Sequence, residues 1–260
     1  MGALTNYTHI FIPVLISQLQ RRMQEIGGPF WEIDGFVPIA FDGSRNSAAR
    51  TVSNEAELCC SHIGQSDSAK YRKRKTKGMR RTKNEKNKPA DPKPQAWITL
   101  MWHMGLRLPW DWRLGPSDSS ERGHVQEMVE TGQYPENTLF CGDAGFVGYD
   151  FWKSIVDRGY HFLVRVGGNV NLIGENMNYQ RVGDGEVLCW PQGKQSKYPP
   201  LRLRLVQVTI GKTKVFLLTS VLDREKLDRA SMMQLYKKRW GVEVCQAGYT
   251  ERSLLYLFAA

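Results

Sequence analysis

Two aspartates stand where apolar runs give way to small residues, and their spacing allows metal-assisted chemistry. Asp42 closes the run Phe36-Val-Pro-Ile-Ala-Phe and is followed by Gly43-Ser44; Asp143 closes Thr138-Leu-Phe-Cys-Gly and is followed by Ala-Gly-Phe. Such runs read as short strands, broken in the first case directly after the aspartate. In open α/β sheets, sites form beyond the carboxyl ends of neighbouring strands. Two carboxylates brought together there repel, and one is driven toward protonation unless a cation lies between them. Magnesium prefers oxygen ligands of this kind and keeps waters for a substrate phosphate. Two ions about 4 Å apart can activate the attacking oxygen and stabilise the leaving one in phosphoryl transfer. Paired carboxylates also serve glycoside hydrolysis, and an aspartate before glycine also caps turns.

A third acid falls on a helix. Tyr236, Arg239 and Glu243 are spaced by three and four residues and project from one helical face, with Trp240 beside them. One reading is a solvated stripe with an Arg–Glu pair worth about 0.3–0.5 kcal/mol. The other makes Glu243 a third metal ligand while Arg239 and Tyr236 hold DNA phosphates.

Charge points to the partner. The formal net charge is +10, and the segment Lys70–Lys88 holds eleven basic residues against one acid, Glu85, so it accounts for the whole imbalance. Lys70, Arg72, Lys73, Arg74, Lys75, Lys77, Arg80 and Arg81 form its densest part. A loop of this kind binds phosphate without sequence preference, by releasing counterions; the plainer reading is a solvated basic run. Anionic polymer suits the loop better than a glycan does. The five cysteines form no CxxC pair and no Cys/His set, which argues against a zinc site and a disulfide framework and fits a reducing cytosol. The apolar stretch Ile10–Ile16 is interrupted by Pro13 and too short to span a bilayer, and no signal peptide is read.

The elements that must position these residues follow an α/β order. A partial helical segment over 1–30 ends at Gly27-Gly28-Pro29. A strand leads to Asp42, and a long polar, basic and Pro-rich excursion occupies 45–95. Ala96–Met104 and Leu108–Leu114 form a hairpin around Gly105-Leu106. Asp118 with Glu121 reads as a capping arrangement for a helix to Thr131. A strand at 138–142, a helix at 149–158 and a strand at 160–166 follow. Gly167–Ser220 reads as an all-β insertion of hairpins, and the last helix spans about Asp223–Val244. The expected units are thus 1–30, a core over 31–166 with its basic loop at 66–95, the insertion at 167–220, and a closing helix and tail over 221–260.

The segments FDGS (41–44), GDAGFVGYDFW (142–152) and YKKRWGVEV (236–244) resemble the three catalytic motifs of the DDE transposases of bacterial insertion sequences. The likeness is strongest to the insertion-sequence-four group with its Tyr-x2-Arg-x3-Glu-x6-Lys signature, and HMGLRLPWDWRLGPSDSSER (103–122) is similar to that group's second and third strands and following helix. The resemblance covers roughly 31–244. It implies a ribonuclease-H-like mixed sheet flanked by helices, with the all-β insertion before the last catalytic helix. By matching positions, Asp42, Asp143 and Glu243 bind two Mg2+ ions, for which Mn2+ can substitute, and Tyr236 and Arg239 contact transposon-end DNA. Trp190, expected in a hairpin at 189–193, is a candidate platform for a flipped base, with a core tryptophan as the plainer reading. The implied reaction nicks the transposon end, and the freed 3′-hydroxyl attacks target DNA, or first the opposite strand through a hairpin. The implied partners are double-stranded DNA, both ends and target, and a second copy of the chain in a synaptic complex, in a bacterial cytoplasm near the nucleoid and away from membrane.

The sequence departs from the signature at its lysine, which falls at Thr250, and CQAGYTERSLLYLFAA (245–260) does not resemble the group's basic helix. Truncated ends are therefore expected. Two other readings stay open: a non-catalytic DNA-binding remnant, and a metal-dependent nuclease of the same fold.

Overall fold

A computed structural model describes residues 2–59, 94–166, 177–191 and 193–252. In chain order they form α1 (Gly2–Ile26), β1 (Val37–Ser47), α2 (Val52–Leu58), β2 (Gln95–His103), β3 (Leu108–Gly115), α3 (Glu121–Thr131), β4 (Thr138–Gly142), α4 (Tyr149–Asp157), β5 (His161–Val166), β6 (Met177–Gly183), β7 (Glu186–Pro191), β8 (Leu201–Ile210), β9 (Thr213–Thr219) and α5 (Arg229–Arg252). The fold is mixed α/β, with nine strands in one sheet ordered β3-β2-β1-β4-β5-β9-β8-β7-β6. The chain divides into two compact units, one of residues 1–43, 99–113 and 121–260, the other of 44–98 and 114–120.

In the larger unit, β1, β4 and β5 run parallel, in registers that include Ala40↔Cys141 and Gly142↔Val164. β5 then pairs antiparallel with β9, and β9, β8, β7 and β6 continue as antiparallel neighbours. Side chains alternate across a strand, and each face has its own apolar core. Ile39, Phe41, Phe140, Phe162 and Val164 pack with Val125 and Met128 of α3 and with Phe151, Trp152 and Ile155 of α4. Ala40, Leu139, Cys141 and Leu163 face the other way, onto Met232, Leu235, Tyr236 and Val242 of α5. The sheet is therefore buried on both sides, as parallel strands require.

Three local boundaries differ from the sequence reading. β1 does not stop at Asp42 but runs on to Ser47. The bonds Met104 N–H to Pro38 O and Ala48 N–H to Pro94 O, both 2.9 Å, keep the β1–β2 pair antiparallel through the glycine; the continuous partner strand overrides the turn preference of Gly43-Ser44. α3 begins at Glu121, three residues after Asp118. α5 begins at Arg229 rather than near Asp223. Asp223 instead accepts the N–H groups of Glu225 and Lys226 in a preceding turn, and Asp228 accepts the Ser231 N–H at 2.7 Å as the N-cap.

The smaller unit contains α2, which the polar stretch 45–95 did not suggest. Thr51 caps it, its Oγ1 accepting the Asn54 N–H at 3.2 Å. The Arg45 guanidinium lies over the Trp97 ring at 4.2 Å. The basic residues Lys70 to Lys88, including Arg72, Lys73, Arg74, Lys75, Lys77, Arg80 and Arg81, lie outside the described residues. Among the described residues no helix is long and apolar enough to cross a membrane.

Packing beneath the two aspartates dictates one sequence choice. Phe41, next to Asp42, meets Phe146 edge-on at 4.3 Å between ring centroids. A Cβ on Gly142, next to Asp143, would stand 2.5 Å from the Phe41 ring. Phe41 is fully buried among Phe140, Phe146 and Phe151, so the ring has nowhere to retreat. Gly142→Ala is expected to cost about 1–3 kcal/mol by overpacking, read as a lower urea midpoint; an unchanged midpoint would mean that the aromatic cluster yields.

Candidate active site

The parallel register brings the two aspartates level. Two residues beyond Ala40↔Cys141, Asp42 on β1 comes beside Asp143 at the end of β4. The alternation that sends Phe41 and Phe140 into one core turns Asp42 and Asp143 toward the face carrying α5. Asp143 has extended backbone (φ −87°, ψ −168°) and leads into a tight turn at Ala144–Phe146. Its Oδ1 accepts the Gly145 N–H at 2.7 Å, and the Trp152 indole donates to the Phe146 carbonyl at 3.0 Å, pinning the turn from below. One Asp143 oxygen thus caps the turn, as the plain reading expects.

α5 delivers Tyr236, Arg239 and Glu243 to this place. Tyr236 and Arg239 are only 2% and 3% exposed. The guanidinium lies beside the Tyr236 ring at 5.4 Å and donates to the Glu243 Oε1 at 2.7 Å. The Glu243 side chain keeps 48% of its surface, so it reaches from buried arginine to open solvent. Arg239 Nε and Nη1 and the Tyr236 hydroxyl are buried without hydrogen-bond partners. Trp240 faces outward, 54% exposed. The backbone of α5 continues through Thr250 to Arg252.

A fourth carboxyl arrives that sequence reasoning assigned to a capping box. Glu121, the first residue of α3, has a buried Oε1 without a hydrogen-bond partner, and the charges of Asp42, Asp143 and Arg239 act on it. The signal that could have found it is its place at the start of the helix after β3, where an acid can turn either outward as a cap or inward to the sheet. Trp190 stands in β7, opposite Asn178 of β6 and half-buried. β7 ends at Pro191, whose carbonyl accepts the Lys194 N–H at 3.1 Å in a turn where Gly193 has positive φ, and the β6–β7 hairpin turns at Asp184-Gly185, both with positive φ.

The electrostatics record the crowding. Burial is the largest cause that pushes the Asp42 carboxyl up to about 6, helped by the charges of Glu243 and Asp143 and opposed by Arg239 and the Gly43 N–H. Burial, then Asp42 and Asp143, push Glu121 up to about 7 against the same two opposing groups. Carboxylates held together with a shortfall of positive charge are what a divalent cation would relieve. The donor set, all hard carboxylate oxygens, fits such an ion, and Glu121 Oε1 is a buried oxygen without a donor. Among the described residues, no three acidic, histidine or cysteine side chains are yet drawn into a ligating group; Arg239 instead retains Glu243.

A carboxyl whose pKa rises on folding binds its proton more tightly in the native state. Stability is then lost as pH climbs from the unfolded value toward the folded one. For Asp42 that window runs from 3.8 to about 6. The melting temperature of metal-free Asp42→Asn, minus that of the parent, is therefore expected to grow across this window and then level off. His103, lowered to about 4 by burial, titrates in both proteins and cancels. A difference that stays flat with pH would show that Asp42 is not crowded.

Comparison with known proteins bears on the same residues. The family described as "Transposase DDE domain" matches residues 98–245, more than half of the chain. No curated protein matches the sequence. Among solved structures, a chain of the cryo-EM structure of the piggyBac transposase synaptic complex with hairpin DNA is similar, with 10% identity and a TM-score of 0.46. The similarity covers 86% of this chain and 44% of that one, so the present chain spans less than half the length of that relative. By the family match over its β2-to-α5 region, the chain belongs to the DDE-domain transposases.

Proposed function

We propose that this protein is a transposase whose ribonuclease-H-like core, interrupted by a β insertion formed by β6–β9, cuts transposon-end DNA and joins the freed 3′ end to target DNA. The reading follows the insertion-sequence-four signature carried by Tyr236, Arg239 and Glu243. Its main support is the register that sets Asp42 and Asp143 level on neighbouring parallel strands, facing the side of the sheet on which α5 carries Glu243. In this reading Asp42, Asp143 and Glu243 hold two Mg2+ ions, with Mn2+ as a substitute. Bound there, the ions supply the acidity that lets water, and later a 3′-hydroxyl, attack a phosphodiester.

The chain's own residues do the rest. Phe41 and Phe146 fix the backbone beneath the two aspartates, so little reorganisation is left for the reaction itself. With Glu243 holding a cation, Arg239 would be without its carboxylate partner. Its guanidinium, with Nε and Nη1 already unpartnered, is then the group left for a DNA phosphate, with the Tyr236 hydroxyl beside it. Trp190 is proposed as a stacking surface for a displaced base. The basic segment 70–88 holds DNA outside the acid site, and two copies act together in a synaptic complex in the bacterial cytoplasm.

The non-catalytic DNA-binding reading is favoured by one observation: Arg239 holds Glu243, and among the described residues no three acids are gathered. Nicking separates the two. With end DNA and Mg2+, the parent is expected to nick and Asp143→Asn to lose at least about 1000-fold in rate, the order of effect seen when an electrostatic catalytic group is removed. DNA binding by a parent that never nicks would leave only the remnant; equal nicking by the variant would remove Asp143 from the chemistry. Deleting 70–88 should flatten the dependence of log affinity on log salt by about 0.9 for each phosphate that the segment neutralises, and an unchanged slope would mean that the segment does not touch phosphate.

A further inference from the structure

The segment GDAGFVGYDFW (142–152) carries more than Asp143. Between the aspartate and α4 the chain makes a tight turn, and side-chain hydrogen bonds fix it at successive residues. The Gly145 N–H donates to Asp143 Oδ1 at 2.7 Å, and the Trp152 indole donates to the Phe146 carbonyl at 3.0 Å. Both bonds lie inside the segment. The next comes from another helix. Arg122, the second residue of α3, donates from Nη1 to the Val147 carbonyl at 3.0 Å, and its guanidinium lies over the Phe151 ring at 5.9 Å. Among the described residues no carboxylate pairs with it, so a half-buried cation is given to a neutral backbone oxygen.

Gly148 shows that room is kept for this contact. Its φ of 167° is extended backbone that any residue adopts, so the backbone does not demand glycine. The guanidinium does: a Cβ on Gly148 would stand 2.0 Å from Arg122 Nη2 and 2.8 Å from its Cζ. The flexible end of the arginine is what would yield. An arginine kept for surface charge needs no such space in a neighbouring loop. A plain carbonyl cap is the other structural account, and it touches stability alone. Resting on the reading of the acids as a divalent-ion site, we propose that Arg122 is a positioning residue for Asp143. From α3 it fixes the turn that Asp143 opens, and Gly148 is glycine in order to admit it. The carboxylate is then aimed from behind, as groups beyond the ligands of a metal site commonly aim them.

Mn2+ binding to the full chain, freed of metal by chelation, tests this without reference to activity. Titration calorimetry gives the affinity, and circular dichroism with a urea midpoint reports folding. Arg122→Met keeps an unbranched stem and removes the fork; it is expected to weaken Mn2+ by ~10-fold. Charge alone predicts the opposite, since loss of a positive charge favours a bound cation. Parental or tighter Mn2+ affinity in the folded variant therefore overturns the assignment, and with a lowered urea midpoint it marks Arg122 as a structural cap only. Gly148→Ala is expected to evict the guanidinium and weaken Mn2+ by a similar factor. Both changes remove one contact, so the double variant is expected to be no weaker than either single one; additive losses overturn the link between Gly148 and Arg122. Arg122→Lys reaches the carbonyl without the fork and is expected to fall between Met and parent. If Arg122→Met does not fold, Gly148→Ala decides: weaker Mn2+ supports the assignment, parental affinity overturns it. Parental affinity in Arg122→Met, with binding abolished in Asp143→Asn, overturns the role of Arg122 and leaves the acid site standing. Parental affinity in Asp143→Asn removes the divalent-ion site itself and the assignment with it.

Discussion

Crowded negative charge is the constraint around which this site is built. Burial first, and then the charges of Asp143 and of each other, weigh on Asp42 and Glu121; Glu243 adds to Asp42, and Arg239 offsets them. Separately, each acid could be an ordinary turn or helix-end residue. Burial and neighbouring charge together make Asp42 and Glu121 costly to ionise. Arg239 is suited to relieve it because α5 buries the guanidinium with its fork held in place, where a more hydrated lysine would be dearer to desolvate. The Arg239–Glu243 bond is far from the surface pair that helical spacing alone would suggest. One partner is almost wholly buried and the other half open, so breaking it leaves an uncompensated buried charge. Any ligand that draws Glu243 away must therefore also satisfy Arg239.

Such crowding is tolerable only on a stiff frame. The parallel strands beneath the acids are buried on both faces, and the aromatic set Phe41, Phe140, Phe146 and Phe151 fills the space directly under the two aspartates. Gly142 is part of the same fit, because its missing side chain makes room for the Phe41 ring. Repulsion between carboxylates would otherwise be relieved by movement of the loops that carry them.

Much of this frame was legible in the sequence because its signals are local. β4, α4 and β5 are short apolar or amphipathic runs bounded by Gly and Asp, and their limits fall within a residue or so of the reading. The helical spacing of Tyr236, Arg239 and Glu243 placed them on one face correctly. What was missed depends on partners distant in sequence. Gly43-Ser44 breaks a strand by composition, but pairing with β2 carries β1 through it. Asp223 looks like a helix start until Asp228, closer to the apolar face of α5, takes the cap. Glu121 reads as half of a capping box because only the fold reveals that Gly43 and Arg239 lie within its reach.

The strands beyond β5 have a part in the site, although they lie on the far side of the sheet from Asp42. Arg204 of β8 is 3% exposed, and its guanidinium donates to the Leu227 carbonyl, just before the Asp228 cap, and to the Met232 sulfur at 3.5 Å. Both contacts fall where α5 begins. Three turns on, the same helix presents Arg239 and Glu243. A helix is nearly rigid over that distance, so fixing its start on β8 and its middle on Leu139, Cys141 and Leu163 leaves Glu243 little freedom of rise or rotation. β8 in turn is tied to β5 through β9, in the registers Arg204↔Thr219 and Leu163↔Thr219. The β5 strand that neighbours the Asp143 strand is thus also the strand on which the anchor of the Glu243 helix is built. The strands that carry Asp42 and Asp143 and the start of the helix that carries Glu243 are thus fixed by one continuous hydrogen-bonded sheet.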